Sequence, residues 1–239
     1  MKKPPIGEAR GKKVQVEAMF DDIAPRYDLL NRVLSLGIDR WWRRRAVNLL
    51  RADAPRRVLD VATGTADLAI ASLRLGPESV VGVDLSEEML AVGRQKVERL
   101  GAAGRVSLRR GDAERLPFSD AQFDAALVAF GVRNFENLEQ GLAEIRRVLR
   151  PGGALVVLEF SQPHVFPVKQ VYGLYSRYVL PRVGSAISKN ETAYKYLPES
   201  AAVFPAGEAF LERMRKAGYR DVLWKPLTFG IASLYKGYV

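Results

Sequence analysis

The chain contains no cysteine and a single histidine, His164, among its 239 residues. The first absence excludes disulfides and thiolate metal sites, and it fits a reducing compartment. The second leaves no histidine cluster to hold a metal, so none is expected. No stretch approaches the ~20 uninterrupted apolar residues a membrane-spanning helix needs. The opening residues, Met1-Lys-Lys-Pro-Pro5, carry no apolar run, so a secretory leader is not expected there. Glycine is also sparse where a dinucleotide would require it. The loop Thr63-Gly64-Thr65-Ala66-Asp67 has one glycine in place of G-x-G-x-x-G, and no G-K-[ST] follows a strand.

Basic residues, by contrast, are in excess: 37 Lys and Arg against 27 Asp and Glu, a net charge of +10. That balance favours nucleic acid or an anionic membrane surface as a partner. The clusters are Arg40 with Arg43, Arg44 and Arg45, then Arg56 with Arg57, then Arg146, Arg147 and Arg150. Solvated helix faces account for most of them.

Apolar runs at 57–61, 79–83, 105–109, 124–129 and 154–159 alternate with helical patterns at 66–75, 87–100 and 137–149. Strand and helix in alternation predict a doubly wound α/β fold with a mostly parallel sheet. Arg150-Pro-Gly-Gly153 reads as a helix stop and a turn. Residues 14–50 read as helical with a bend at Pro25. A last helix at 207–217 and runs at 220–225 and 228–236 read as a helix and a terminal antiparallel hairpin, which brings the sheet to seven strands.

The run from Val58 to Leu68 turns from strand over Gly64 into helix, which brings backbone N–H groups to a ligand. Asp84 ends the next strand, 24 residues beyond Asp60. A carboxylate there accepts from both hydroxyls of a ribose. With one glycine there is little room for a pyrophosphate. S-adenosylmethionine has no phosphate, and its cationic centres want acids such as Asp60 and Asp67. Asp112 after the third strand is placed to accept from an adenine amino group, and the Ala113 N–H to reach a ring nitrogen.

Longer motifs narrow this. The stretch from Met19-Phe-Asp-Asp-Ile-Ala-Pro-Arg-Tyr27 to Ser35, Leu59-Asp-Val-Ala-Thr-Gly-Thr-Ala-Asp67, Gly111-Asp-Ala-Glu-Arg-Leu-Pro-Phe118, Phe130-Gly-Val-Arg-Asn-Phe135, Tyr196-Leu-Pro-Glu-Ser200 and Leu227-Thr-Phe-Gly-Ile231 together resemble the UbiE/MenG/COQ5 quinone C-methyltransferases, within the class I, Rossmann-like methyltransferases. The resemblance covers nearly the whole chain. Ala66 departs from it, standing where the family usually has glycine, and so does Ala129, where some relatives carry serine.

The resemblance implies S-adenosylmethionine as cofactor, with Thr63, Asp84, Asp112 and Ala113 in its site. Asp60 and Gly64 of the first motif join them in the expected set. It implies C-methylation of a prenylated hydroquinone, with demethylmenaquinol ahead of the benzoquinol of ubiquinone synthesis. An RNA methyltransferase and a non-catalytic cofactor-binding subunit are the rivals. Amino-methylating nucleic-acid enzymes usually carry Asn/Asp-Pro-Pro-aromatic after the fourth strand, where this chain has Phe130-Gly-Val-Arg-Asn134, so no nucleic-acid partner is expected.

Arg133 is a poor base and is expected to stabilise a ring oxyanion, with Asn134 orienting the same hydroxyl or a water. Tyr27 is expected to contact substrate from the N-terminal segment, and His164 is a weaker candidate base.

The chain is read as one methyltransferase domain over 1–239. It comprises a helical lid (14–50), a cofactor core (51–160), a substrate-side helical insertion (163–200) and a C-terminal helix and hairpin (201–239). The apolar segment 163–182 suits an isoprenoid tail, and Lys169, Arg177 and Arg182 suit an anionic lipid surface. A cytoplasmic protein, peripheral on the inner face of the membrane, follows as the expectation. Homo-oligomerisation stays open.

Overall fold

The computed structural model describes residues 11–163, 165–179 and 191–239. Seven strands form one sheet: β1 (Arg57–Val61), β2 (Ser79–Asp84), β3 (Val106–Arg110), β4 (Phe123–Ala129), β5 (Leu149–Phe160), β6 (Arg220–Leu227) and β7 (Ala232–Tyr238). Their order is β3-β2-β1-β4-β5-β7-β6. All pairings among β1–β5 are parallel, and β7 is antiparallel to both β5 and β6. The strand order reverses between β1 and β4. In an open α/β sheet, ligands bind beyond the carboxyl ends of the strands at that reversal.

Continuous apolar stretches explain the central strands. Val58, Leu59, Val61, Ala125, Ala126 and Leu127 are fully buried, as a parallel sheet covered on both faces requires. Helices α4 (Asp67–Ser72), α5 (Glu87–Arg99) and α6 (Leu138–Val148) supply the cover. Ser86 caps α5 by accepting from the Met89 N–H at 3.1 Å, and Glu87 and Glu88 fill its positively polarised first turn. Asn137 caps α6 in the same way, accepting from Gln140. Leu142, Ile145 and Val148 recur along α6 and are fully buried.

Before the sheet come α1 (Lys12–Ile23), α2 (Tyr27–Leu34) and α3 (Ile38–Asn48). The expected bend at Pro25 is a 3-10 turn over Ala24–Arg26. Between β5 and β6 lie α7 (Val168–Leu174), a π turn (Tyr175–Val179), α8 (Glu191–Val203) and α9 (Glu208–Lys216). The helical insertion expected over 163–200 thus ends in α8, which runs three residues past that bound and carries Pro198 inside it. His164 and Arg182 lie outside the described residues, as does part of the 163–182 segment.

Two boundaries differ from expectation. β5 begins at Leu149, with Arg150-Pro-Gly-Gly153 inside a register shift against β4. The last strand begins at 232, not 228. Thr228, Phe229 and Gly230 all take positive φ and form a 3-10 turn, which cannot continue a ladder. Trp42 of α3 ties that turn down, its indole N–H donating to Thr228 Oγ1 at 2.8 Å.

Candidate active site

Two cavities adjoin at the carboxyl ends of β1, β2 and β4. The smaller, about 740 Å³, is lined by Gly64, Asp84, Gly111, Asp112, Ala113, Asn134 and neighbouring residues, and α1 covers it with Lys13, Val16, Glu17 and Phe20. The larger, about 1970 Å³, is mainly apolar. Its walls come from α1–α3, α7 and α8, with Arg133 and Phe160 on the sheet side. Phe20, Tyr27 and Phe130 belong to both walls.

The smaller cavity is built on a strained loop. Ala62, Gly64 and Ala66 all have positive φ. For the two alanines this conformation costs on the order of 1 kcal/mol each relative to glycine. The Ala66 methyl is nevertheless fully buried, and a Cβ added to Gly93 of α5 would lie 3.3 Å from it. Glycine at 93 thus makes the room that alanine at 66 takes up. Gly82 plays the same part on β2, where a Cβ would fall 2.8 Å from Thr63 Oγ1.

Asp84 accepts from the Gly64 N–H at 2.7 Å through Oδ2 and from the Ser86 N–H at 3.0 Å through Oδ1. Burial pushes its carboxyl up, and these N–H groups pull the other way. A carboxylate has about four lone-pair positions, so these N–H groups leave acceptor capacity on Asp84, which lines the cavity, for a diol. Asp112 accepts from the Glu114 N–H through Oδ1, and Lys13 donates to its Oδ2 at 2.6 Å. An adenine amino group there meets Lys13 as a competitor. Ala113 lies beside it on the wall.

Asp60 and Thr63 are buried beneath the loop and do not line the cavity. The Thr63 hydroxyl donates to Asp60 Oδ2 at 2.6 Å, and the Thr63 N–H to the Val83 carbonyl at 3.0 Å. Their contact fixes the path of the loop. Burial pushes the Asp60 carboxyl up to about 7, and its Oδ1 has no partner among the described residues.

At the junction, Phe130 holds positive φ, a strained state for a bulky residue. The turn after it places Arg133 and Asn134 near one carbonyl. Arg133 NH1 and Asn134 Nδ2 both donate to the Phe130 oxygen. Arg133 NH1 also donates to Glu159 Oε1 at 2.7 Å, and Glu159 is wholly buried. Burial pushes the Glu159 carboxyl up, opposed by the Arg133 charge. The Arg133 Nε has no partner among the described residues. Asn134 Oδ1 accepts from the Tyr196 hydroxyl at 3.1 Å. Tyr27 is half-buried between the cavities. Burial raises its phenol, and a hydrogen bond with Asn31, then the Arg43 and Arg133 charges, pull it down.

Tyr27 lines both cavities, Asn134 the smaller and Arg133 the larger, so the structure places all three about the junction. The sequence reading missed Glu159, Tyr196 and Arg43. A lone carboxylate closing the apolar run Ala154-Leu-Val-Val-Leu-Glu159 was the available sign for the first. Among the described residues, no group of three or more His, Asp or Glu is placed to hold a metal ion.

The donor set fits S-adenosylmethionine, with a diol acceptor in Asp84, an amino acceptor in Asp112 and no phosphate cradle. Fold and pocket together define a class I S-adenosylmethionine-dependent methyltransferase. A solved structure described as an S-adenosylmethionine-dependent methyltransferase, possible histamine N-methyltransferase, of Thermotoga maritima superposes with a TM-score of 0.65 at 22% identity, covering 92% of this chain and 98% of its own, and so shows the fold. The chain belongs to the ubiE/COQ5 methyltransferase family, whose profile matches residues 8–239. The demethylmenaquinone methyltransferase of Deinococcus radiodurans is 50% identical to it over 238 residues, 98% of this chain and 97% of its own length. The ubiquinone/menaquinone biosynthesis C-methyltransferase UbiE of Geobacter sulfurreducens is 49% identical over 228 residues, 95% of this chain and 89% of its own length.

Proposed function

We propose that the protein methylates a ring carbon of a prenylated hydroquinone, converting demethylmenaquinol to menaquinol. The observation that carries this reading is the pair of cavities sharing Phe20, Tyr27 and Phe130, one with a nucleoside-type lip and the other large and apolar. A nucleic-acid groove would want basic walls. The apolar walls, among them Leu30, Leu34, Val171 and Tyr175, suit an isoprenoid tail.

Bound S-adenosylmethionine supplies an activated methyl group as a sulfonium. The chain's own residues do the rest. Asp84, Asp112 and Ala113 hold the cofactor, while Asp60, Thr63 and Gly64 set the loop beneath it. A hydroquinol carbon becomes nucleophilic when the neighbouring hydroxyl gives its proton to a water; Arg133 stabilises the resulting oxyanion, and the ring carbon's own proton passes to solvent once the methyl is bonded. Asn134 orients that hydroxyl or a water beside it, and the Tyr27 phenol packs against the ring. Holding carbon and methyl in line contributes up to several kcal/mol to such transfers. Purified protein given labelled S-adenosylmethionine and a short-chain demethylmenaquinol should form methylated quinol. Methylation of RNA alone, or of nothing, overturns the reading. A matched benzoquinol tests the ubiquinone branch, on which slower turnover is expected.

Among the described residues no helix is long and apolar enough to cross a membrane. We propose a cytoplasmic protein that touches the inner membrane surface at the mouth of the apolar cavity, where its lipid-soluble substrate enters. Leu36 is 91% exposed, Phe166 77% and Phe229 71%, with the exposed cations Lys169 and Arg177 nearby in the chain. Apolar anchors and basic residues together are what an anionic leaflet attracts. The protein should sediment with anionic vesicles and release in salt. Failure to bind them counts against this contact.

A further inference from the structure

Arg40, Arg43, Arg44 and Arg45 follow one another along α3, and three of them face solvent. Arg43 alone turns inward. It is 7% exposed, lines the apolar cavity, and lies with its guanidinium carbon 5.9 Å from the centroid of the Phe130 ring. Phe130 stacks on Phe160 with centroids 4.4 Å apart, and the Arg133 guanidinium lies 5.4 Å from the Phe160 centroid. Each ring of one stacked pair therefore carries its own cation, and both cations line the cavity that Tyr27 lines.

Arg43 is held by Asp39, one turn earlier on α3, which in turn accepts from the Ser35 hydroxyl at 2.8 Å. Asp67 lies 3.8 Å away. Among the described residues, the bond from NH1 to Asp39 is its only hydrogen bond. A guanidinium carries five N–H donors, so Arg43 brings unused donors into a cavity that is otherwise largely apolar. Placing an arginine there costs desolvation that a simple helix-to-helix staple does not require.

We propose that Arg43 is a second substrate-binding residue, donating to the hydroquinol oxygen that lies across the ring from the one Arg133 stabilises. A hydroquinol has two oxygens para to each other, and only one adjoins the carbon that is methylated. Arg133 serves that oxygen, and Arg43 serves the other. The pair fixes the ring's orientation and distinguishes a hydroquinol from a monophenol. This inference rests on the hydroquinol reading.

The test compares two substrates: a short-chain demethylmenaquinol, and its analogue keeping only the hydroxyl next to the accepting carbon. Arg43→Met should lower kcat/KM on the diol about 10- to 100-fold, the range for a lost hydrogen bond to a charged group. On the mono-ol the loss should stay below about threefold, and the dissociation constant for S-adenosylhomocysteine should stay within about twofold of wild type. Arg43→Lys, which keeps the charge and the ion pair, should show the same selectivity with a smaller loss, and it carries the test if the methionine variant does not fold. Equal losses on both substrates in either variant, or a loss that follows cofactor affinity, would show that Arg43 only braces α3 and would overturn the proposal. Wild-type protein inactive on both substrates overturns the hydroquinol reading itself.

Discussion

The Tyr196 hydroxyl donates to Asn134 Oδ1 at 3.1 Å, and this bond joins the wall of the large apolar cavity to the wall of the cofactor pocket. Tyr196 comes from α8 and Asn134 from the turn after β4, so the hydrogen bond ties the helical insertion to the sheet where the two cavities meet. Asn134 Nδ2 faces the Phe130 carbonyl at 3.5 Å, and together the two contacts fix which way the amide points.

Tyr196→Phe removes one hydroxyl and leaves the ring. It should cost about 1 kcal/mol of stability and roughly 3- to 10-fold in kcat, through loss of amide orientation. Affinity for S-adenosylhomocysteine should not change. Calorimetric binding beside steady-state kinetics checks the split.

The buried pair of Arg133 and Glu159 links catalysis to stability, and a double-mutant cycle separates them. Arg133→Met leaves a buried carboxylate without its partner and should destabilise by about 3–5 kcal/mol. Arg133→Met with Glu159→Leu removes both charges and should recover most of that loss. Turnover should remain below about 1% of wild type in both variants, because the cation beside the reacting oxyanion is gone and Arg43 faces the other oxygen. Urea denaturation and turnover measured on the same preparations decide it. A double variant that regains activity would show Arg133 to be structural.

Asp60 gives a pH signature. Its carboxyl is raised to about 7 in the folded protein from an ordinary value of 3.8. Between those values the folded state holds a proton that the unfolded chain releases. Stability from this group is thus fully present below about pH 4 and is lost as pH rises through about 7, by up to about 1.4 kcal/mol per pH unit. Asp60→Asn keeps an acceptor for the Thr63 hydroxyl and removes the titration. Denaturation midpoints for wild type should fall between pH 5 and 8 by more than those of the variant. Parallel curves would contradict the assignment.

Asp84→Asn puts an amide where two backbone N–H groups and a diol all require an acceptor. The dissociation constant for S-adenosylhomocysteine should rise about 10- to 100-fold. The KM for the quinol should move by less than about twofold. Isothermal titration and initial rates check both.

The sheet was readable in the sequence because its central strands are continuous apolar runs and their spacing leaves room for helices. Asp84, Asp112, Arg133 and Asn134 were readable because each closes a strand or lies in the turn just after one, where the sheet's carboxyl edge collects ligand contacts. Other features depended on tertiary packing that no local pattern encodes. Arg43 was indistinguishable from its neighbours in an arginine run until α3 was docked. Glu159 and Tyr196 are second partners, visible only once Arg133 and Asn134 had positions. Asp60 and Thr63 were assigned to the cofactor from their motif, and their side chains lie one layer below the pocket wall. The terminal strand was misjudged at its start because Thr228 and Phe229 adopt backbone angles their side chains usually avoid.

The most direct test of two cavities meeting at Arg133 and Asn134 is where the methyl group goes. Purified protein, ¹³C-methyl S-adenosylmethionine and a short-chain demethylmenaquinol should yield a product whose labelled methyl is bonded to the ring carbon beside the prenyl chain, as read by carbon NMR. Label on a ring oxygen, or no labelled quinol while the protein binds S-adenosylhomocysteine, would contradict the account.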